Sequence, residues 1–523
     1  MDVVHLVLAA SALGPMALMV LALLLARWPA ADTVRIWAGF NALSLGALAC
    51  AVLAAFGPGT LPDVRPWLTV TPLGAGLAVL VQFLGTVIGM FSARYLQGEA
   101  AQRRYVMALA GVLAAVHLLL MADHWLVLIA AWALVGMALQ PLLCFYPDRP
   151  FALLAAHKKR LADRLADLLL VAAAALAWWS AGSGSFTDLA AHLARAGVSP
   201  ALHASAVLLV LAVILRTALL PVHGWLIQVM EAPTPVSALL HAGVVNLGGY
   251  LLIRFAPLLE QAAPARWLLV AFGLGTAVLA GLVMLTRISI KVRLAWSTVA
   301  QMGFMVLECG LGLYTLAALH LIGHSLYKAH AFLSASMAVR QTRLQTMRGT
   351  RKPMSMSLWL APALVVPAVL VTQTAVSPGA WPWWWSVLLG LAWAPLLWLS
   401  TPTGQPDRAL VRGALSGLLM VVGLTGAALL AHAALPLGLR DAPHHTPGVV
   451  ALMGMGALYV FLVLLQTRPQ ALQAWRRWSY AGFYVDEYYT RLTLWLWPTR
   501  WTPVASRPNY PVTAALVTAN ARK

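Results

Sequence analysis

The sequence predicts an all-α polytopic membrane protein, and two observations carry this prediction. Of the 523 residues, 61% are hydrophobic and only 10% are charged, against roughly 25% charged residues in soluble domains. The chain also contains about fifteen apolar stretches of about 17 to 25 residues, the length that a helix needs to cross a bilayer core about 30 Å thick. A soluble fold is therefore excluded.

The positive charge of the chain indicates how the helices are oriented. Lys and Arg number 35 against 16 Asp and Glu, a net charge of +19. About 28 of the basic residues fall in alternate connections or in the C-terminal tail, which is the bias that membrane proteins show toward the cytoplasm. We expect the N-terminus outside and the tail in the cytoplasm, in the cell inner membrane. The basic excess is then a topology signal and not a nucleic-acid footprint.

The predicted spans divide the chain into five parts. We expect N-terminal helices in 1–100, a first five-helix repeat in 101–260, a second in 261–402, further helices in 403–467 and a cytoplasmic amphipathic tail in 468–523. Pro221 interrupts the seventh span, and Pro362 and Pro367 interrupt the twelfth. Corresponding breaks in two halves indicate inverted repeats with a site at the break. Pro233 and Pro235 mark a further break before the eighth span.

Ionisable residues in the sixth span are the first candidates for function, because such side chains are costly inside a membrane. Lys158 lies at the start of a charged run, and Arg164 and Asp167 are three residues apart on one helix and able to pair. The alternative interpretation is an ion ladder where this helix meets the cytoplasmic surface.

Arg216 and His241 flank the proline-containing turns. Arg216 lies about one turn before Pro221, beside carbonyls that the proline leaves without a donor. Such a depth argues against snorkelling to the surface, so we expect a functional role. His241, taken alone, is equally consistent with a hydrogen-bonded core histidine.

The eleventh span carries a column of titratable residues. His320, His324 and Lys328 are spaced four apart, so they lie on one stripe of the helix. Histidine and a desolvated lysine both exchange protons near neutral pH, which makes the column a candidate proton relay. A metal site is disfavoured because no carboxylate or cysteine completes a ligand set. Glu308 in the tenth span either pairs with Lys328 or is protonated.

The tail is rich in aromatic and basic residues. This composition is typical of an interfacial amphipathic helix or of a docking surface for a cytoplasmic partner, and the two interpretations are compatible. The candidate docking residues are Trp475, Trp478, Tyr484, Tyr488 and Tyr489.

Two segments connect these residues to a known family. Residues 220–226 (LPVHGWL) and 230–242 (MEAPTPVSALLHA) resemble the signature of the antiporter-like subunits of respiratory complex I and Mrp antiporters. The segment 291–303 and the column in the eleventh span fit the same pattern. The resemblance implies inverted five-helix repeats, broken helices and a central proton-conducting axis. It also assigns the family's functional positions to Arg164, Asp167, Arg216, His241 and the column.

Two departures from this family are visible. Its helix-5 glutamate falls at Ala133, and the twelfth span offers only Thr372, Gln373 and Thr374 near its break. Arg216 also stands where the family has a lysine, and arginine stays protonated in proteins. A shorter branch fits better, because the chain is similar to the membrane subunits of the DAB inorganic carbon accumulation complexes.

This second resemblance implies a cation-conducting subunit, with protons the expected ion, that drives a partner enzyme. The partner would be a DabA-like soluble zinc subunit related to β-carbonic anhydrases, so that zinc and catalysis belong to the partner and this chain is no enzyme and needs no cofactor. Two alternatives stay open. One is a proton-translocating subunit of a complex I-like oxidoreductase or Mrp-type antiporter, and the other is a non-conducting membrane anchor.

Overall fold

The computed structural model describes residues 3–57, 63–64, 67–335, 353–400, 406–468 and 470–499, and most of these are α-helical. Two short strands, Asp63–Val64 (β1) and Leu68–Thr69 (β2), pair antiparallel. The helices are α1 Val3–Arg27, α2 Thr33–Phe56, α3 Pro72–Tyr95, α4 Gln102–Met121, α5 Trp125–Leu143, α6 Pro150–Ala181, α7 Phe186–Ala196, α8 Pro200–Arg216, α9 Gly224–Gln228, α10 Thr234–Ala242, α11 Leu247–Arg254, α12 Ala256–Gln261, α13 Ala263–Met284, α14 Ile290–Gly310, α15 Tyr314–Leu333, α16 Ser355–Val376, α17 Trp383–Trp393, α18 Pro406–Ala434, α19 His445–Thr467, α20 Gln473–Tyr480 and α21 Val485–Leu496. Short 3-10 turns precede α10, α11 and α21 and follow α17.

Ten helical segments in the described ranges are long and apolar enough to cross a membrane, counting α10 and α11 as one. The other five predicted spans coincide with α6, the α8–α9 pair, α14, α15 and α17. These helices fall outside the first group because they carry ionisable side chains, are interrupted or are short. The chain is therefore a polytopic all-α membrane protein, as the sequence predicts.

The connections between helices form two groups, which we call the basic side and the opposite side. On the basic side Arg149 donates to the Glu231 carbonyl at 2.6 Å, and on the opposite side the Ala442 N–H donates to the Gly312 carbonyl at 2.8 Å. The basic side holds the connections 28–32, 96–101, 144–149, 229–233 and 285–289 and the tail. The opposite side holds the connections 57–71, 122–124, 182–199, 311–313, 377–382 and 435–444.

The α10–α11 segment lies at the centre of the bundle. Its apolar window is 94% buried, whereas the windows of α16, α18 and α19 are 22% buried. Peripheral helices of a membrane bundle expose apolar surface to lipid, so burial separates the central helices from the outer ones.

Two central spans are broken near mid-depth. The seventh span ends its first helix at Arg216 and resumes at Gly224, and the Leu220 N–H in the gap donates to the Thr276 hydroxyl at 3.2 Å. The eighth span breaks at Gly243, a break that the sequence analysis did not anticipate. Pro233 and Pro235 lie at the start of α10, where proline is favoured because the first helical N–H groups have no intrahelical partner.

The sequence predicts a helix break in the twelfth span, and this prediction is wrong. Pro362 and Pro367 lie inside the continuous helix α16. A proline removes one backbone hydrogen bond, and a membrane helix tolerates this loss where neighbouring groups satisfy the freed carbonyl. Proline alone therefore does not determine where these helices stop. The fivefold division of the chain stays a prediction, and its boundary at 402 and the tail beyond 499 lie outside the described residues.

Candidate functional site

Four charged side chains at the α6–α8 contact form what we call the Arg216 cluster: Arg216, Asp167, Asp163 and Lys159. Arg216, whose side chain is 4% exposed, forms an ion pair with Asp167, and its Nε lies 3.8 Å from Asp163 Oδ1. Asp163 also pairs with Lys159. The guanidinium carbon of Arg216 lies 4.6 Å from the centre of the Trp132 ring. The cluster thus balances two cations against two anions.

The spacing of α6 explains this arrangement and corrects one expectation. Lys159, Asp163 and Asp167 recur every four residues, so they share the face of α6 that meets α8. Arg164 lies off this face with an exposed side chain, and the predicted ion pair between Arg164 and Asp167 is not formed. Asp167 instead pairs with the cation of the neighbouring helix. Lys159 was missed by the sequence analysis, although its spacing of four from Asp163 was visible.

Lys158 belongs to a different contact, which we call the C-terminal latch: Lys158, Gln228, Asp486 and Thr490. The Lys158 side chain is fully buried, and its Nζ lies 2.5 Å from Asp486 Oδ1, 2.8 Å from Thr490 Oγ1 and 3.2 Å from Gln228 Oε1. The Gln228 amide also donates to Asp486 Oδ2 at 2.8 Å. The lysine predicted as a relay member therefore fixes the tail helix α21 to the basic side.

A glycine makes this approach possible. A Cβ atom at Gly224, the first residue of α9, would overlap the carboxylate of Asp486. The latch is therefore built from α6, α9 and α21 together. Since Lys158 and Lys159 are consecutive, it lies directly beside the Arg216 cluster.

The column on α15 is present as the spacing predicts. Lys328 is fully buried and donates to the Leu294 carbonyl at 2.9 Å and to the Ser297 hydroxyl at 2.8 Å. The rings of His320 and His324 are 6.1 Å apart, centre to centre. The three side chains thus rise along one face of α15 from the lysine to His320.

Glu308 pairs with His320 and not with Lys328. The Glu308 Oε2 atom lies 2.8 Å from His320 Nδ1, and the glutamate is 3% exposed. Glu308 is near the end of α14 on the opposite side, which places it level with the start of α15 and beyond the reach of the lysine. The column therefore ends at a buried His–Glu pair.

His241 lies beside the column. Its ring stacks on Phe332 of α15 with centres 4.6 Å apart. Neither ring nitrogen of His241 or of His324 has a hydrogen-bond partner among the described residues. Buried polar atoms without partners are costly, so these two imidazoles are unusual in the centre of the bundle.

The Arg216 cluster and the column are separate in the part of the chain that the structure describes. No hydrogen bond between described residues joins them, and α11 packs against both α8 and α15. Among the same residues, no group of three or more His, Cys, Asp or Glu side chains is arranged as a metal site.

The aromatic tail residues divide between packing and exposure. Trp475 packs edge-to-face against Phe461 and Phe483, with ring centres 5.3 Å away in each case. The Lys158 ammonium lies 5.2 Å from the centre of the Tyr489 ring. Burial raises the pKa of the Tyr489 phenol. The other three candidates have an exposed fraction of half or more: Trp478 at 55%, Tyr484 at 50% and Tyr488 at 71%.

Known proteins resemble this chain in sequence along nearly its whole length. The family model described as NADH:quinone oxidoreductase/Mrp antiporter, TM, matches residues 122–378. "Probable inorganic carbon transporter subunit DabB" of Hydrogenovibrio crunogenus is 35% identical over 509 residues, covering 92% of both chains. The DabB2 subunit of Halothiobacillus neapolitanus is 36% identical and covers 89% of this chain and 88% of the relative. The chain belongs to the DabB family.

More distant relatives and a solved structure place DabB among the antiporter-like subunits. "NADH-ubiquinone oxidoreductase chain 5" of Metridium senile is 34% identical over 51% of this chain and 44% of the relative. The Mrp complex from Dietzia sp. DQ12-45-1b superimposes with a TM-score of 0.60 at 23% identity, covering 94% of this chain and 62% of that chain. This chain therefore shares its fold with a subunit of the Mrp complex. It is a transport subunit of the kind that functions in a multi-subunit complex.

Proposed function

We propose that this DabB-family chain conducts protons across the cell inner membrane and couples their flow to a soluble partner that accumulates inorganic carbon. The observation that carries the proposal is the column from Lys328 through His324 to the His320–Glu308 pair. It is a series of titratable groups along one face of α15, in which Lys328 and His324 are buried, in a transport-family fold.

The path ends at the basic side, which the positive-inside bias assigns to the cytoplasm. The Arg216 cluster supplies fixed charge near the first helix break, and His241 lies beside the column. Arg216 does not titrate, so it sets the electrostatic field at the break while Lys328 and the histidines exchange protons. Glu308, paired with His320, takes up the proton at the opposite side, where the inward path starts.

The relatives' names motivate the coupled reaction. The chain matches DabB subunits over nine-tenths of its length, and those relatives are named as subunits of inorganic carbon transporters. The proposed partner is a DabA-like soluble zinc subunit with carbonic-anhydrase chemistry, converting CO2 to bicarbonate while protons flow inward. Zinc and catalysis would then reside in the partner, and this chain would supply no cofactor site.

The tail supplies a docking surface that fits this role. Trp478, Tyr484 and Tyr488 expose aromatic rings on the basic side, and aromatic residues are enriched where proteins bind each other. The same tail is held through Asp486 to Lys158, next to Lys159 of the Arg216 cluster. A partner on the tail would therefore contact an element that reaches the conduction path within one helical turn.

A proton-translocating subunit of an oxidoreductase or antiporter is the second candidate, favoured by the partial match to NADH-ubiquinone oxidoreductase chain 5. Affinity purification of the tagged chain in mild detergent, with mass spectrometry and zinc analysis, separates the two. A large zinc-bearing soluble partner supports the proposal, whereas redox or Mrp-type membrane subunits support the second candidate.

The conduction itself is tested with Lys328→Ala in the complete complex, reconstituted in vesicles that contain a pH-sensitive dye. We expect loss of gradient-driven proton uptake, because the column loses its buried cation. His330→Ala is the matched control, since His330 lies on the same helix but is exposed. Equal proton uptake by Lys328→Ala and His330→Ala at equal protein levels would refute the role of the column in conduction.

A further inference from the structure

A cavity of about 240 Å³ lies between α5 and α6 beside the Arg216 cluster. Its lining includes Ala133 and Gln140 of α5 and charged residues of α6. The volume far exceeds the roughly 30 Å³ that one water occupies in the liquid, so a small multi-atom ligand fits.

The charges that line this cavity are unequal. Three guanidinium groups, of Arg160, Arg164 and Arg216, face two carboxylates, of Asp163 and Asp167. Both carboxylates already have cationic partners in the Arg216 cluster. Arg160 and Arg164, by contrast, form no ion pair or hydrogen bond with any described residue. The uncompensated charge at the cavity is therefore positive.

Arg216 is the buried member of this lining. It is 6% exposed and is held in place by its ion pair with Asp167. Its charge therefore stays fixed at the wall of the cavity.

We infer that this cavity is an oxyanion-binding site in which Arg160 and Arg164 hold the ligand beside the fixed charge of Arg216. The planar guanidinium group presents a fork of N–H donors that matches carboxylate-like and phosphate oxygens. Two sources offer this chemistry: a free small oxyanion such as bicarbonate, or the phosphate of an anionic lipid. The inference does not depend on whether the chain conducts protons.

The test uses the purified full chain in detergent and its thermal unfolding midpoint. Bicarbonate and formate are titrated against sodium chloride at equal ionic strength, and lipid phosphorus is measured before and after washing and after adding phosphatidylglycerol or phosphatidylcholine. The variants are the double substitution Arg160→Gln with Arg164→Gln, and Ala133→Glu, which places a tethered carboxylate at the cavity while keeping both arginines. Arg412→Gln, an exposed arginine on α18, is the matched control.

For a free oxyanion we expect a saturable rise in the midpoint with bicarbonate or formate but not with chloride. The apparent affinity should fall at least about tenfold in the double variant and in Ala133→Glu, because each charge-assisted hydrogen bond contributes about one such factor. For a lipid, retained phosphorus and the effect of phosphatidylglycerol should be lost in the same two variants. Effects that are absent, or equal in those variants and in Arg412→Gln, would overturn the inference.

Discussion

The latch between Lys158 and Asp486 allows a quantitative prediction about the tail. Asp486→Asn removes the negative charge but keeps the shape of the side chain. If α21 stayed docked, Lys158 would become a buried unpaired cation, at a cost of about 3 to 5 kcal/mol. Release of α21 costs only the hydrogen bonds that hold it, about 1.5 to 3 kcal/mol for bonds to a charged group. Undocking is the cheaper response, so we expect the tail to open.

The expected size of the opening follows from the same numbers. A loss of about 1.5 to 3 kcal/mol raises the undocked fraction of α21 by about 10- to 150-fold. Amide hydrogen exchange in residues 485–496 measures this fraction, because the exchange rate scales with the opening equilibrium. Exchange in α4, which lacks contact with the latch, should stay unchanged.

Glu487→Gln is the matched control for this experiment. Glu487 is adjacent in sequence and carries the same charge, but it is exposed and forms no ion pair with a described residue. If Asp486→Asn and Glu487→Gln exchange at the same rate in α21, the latch does not hold the tail and the reasoning fails.

Two further predictions concern close contacts. Gly224→Ala should release α21 as strongly as the loss of the Asp486 charge, because the added Cβ overlaps that carboxylate. Gly275→Ala is the control, since a Cβ there meets no atom within 4 Å. Equal amide hydrogen exchange of α21 in the two variants would contradict the prediction. Glu308→Gln should lower gradient-driven proton uptake in vesicles by about tenfold or more, because a charged hydrogen bond of about 1.5 kcal/mol or more to His320 is lost. Unchanged uptake at equal protein levels would place Glu308 outside the path.

Features that depend on one helix were predictable from the sequence. The spacing of four between His320, His324 and Lys328 fixes a common face whatever the surrounding helices do. The long apolar stretches likewise fix the membrane class, because length and hydrophobicity are local properties.

Features that depend on packing between helices were not predictable in the same way. Sequence spacing offered Arg164 as the partner of Asp167, whereas the structure pairs Asp167 with Arg216 on another helix. For Glu308 the sequence suggests either a pair with Lys328 or a protonated acid, whereas its neighbour in the structure is His320. In each case the residue type was recognised and the partner was not, since helix-to-helix register is set by side-chain packing that one sequence does not display.

The latch also has a consequence for biosynthesis. Lys158 and Asp486 are 328 residues apart in the chain. At about 5 to 20 residues per second, Asp486 leaves the ribosome roughly 16 to 66 seconds after Lys158. During this interval α6 must reside at the membrane with its lysine still unneutralised. Closure of the latch is therefore among the last steps of assembly, and only a chain translated as far as α21 completes it.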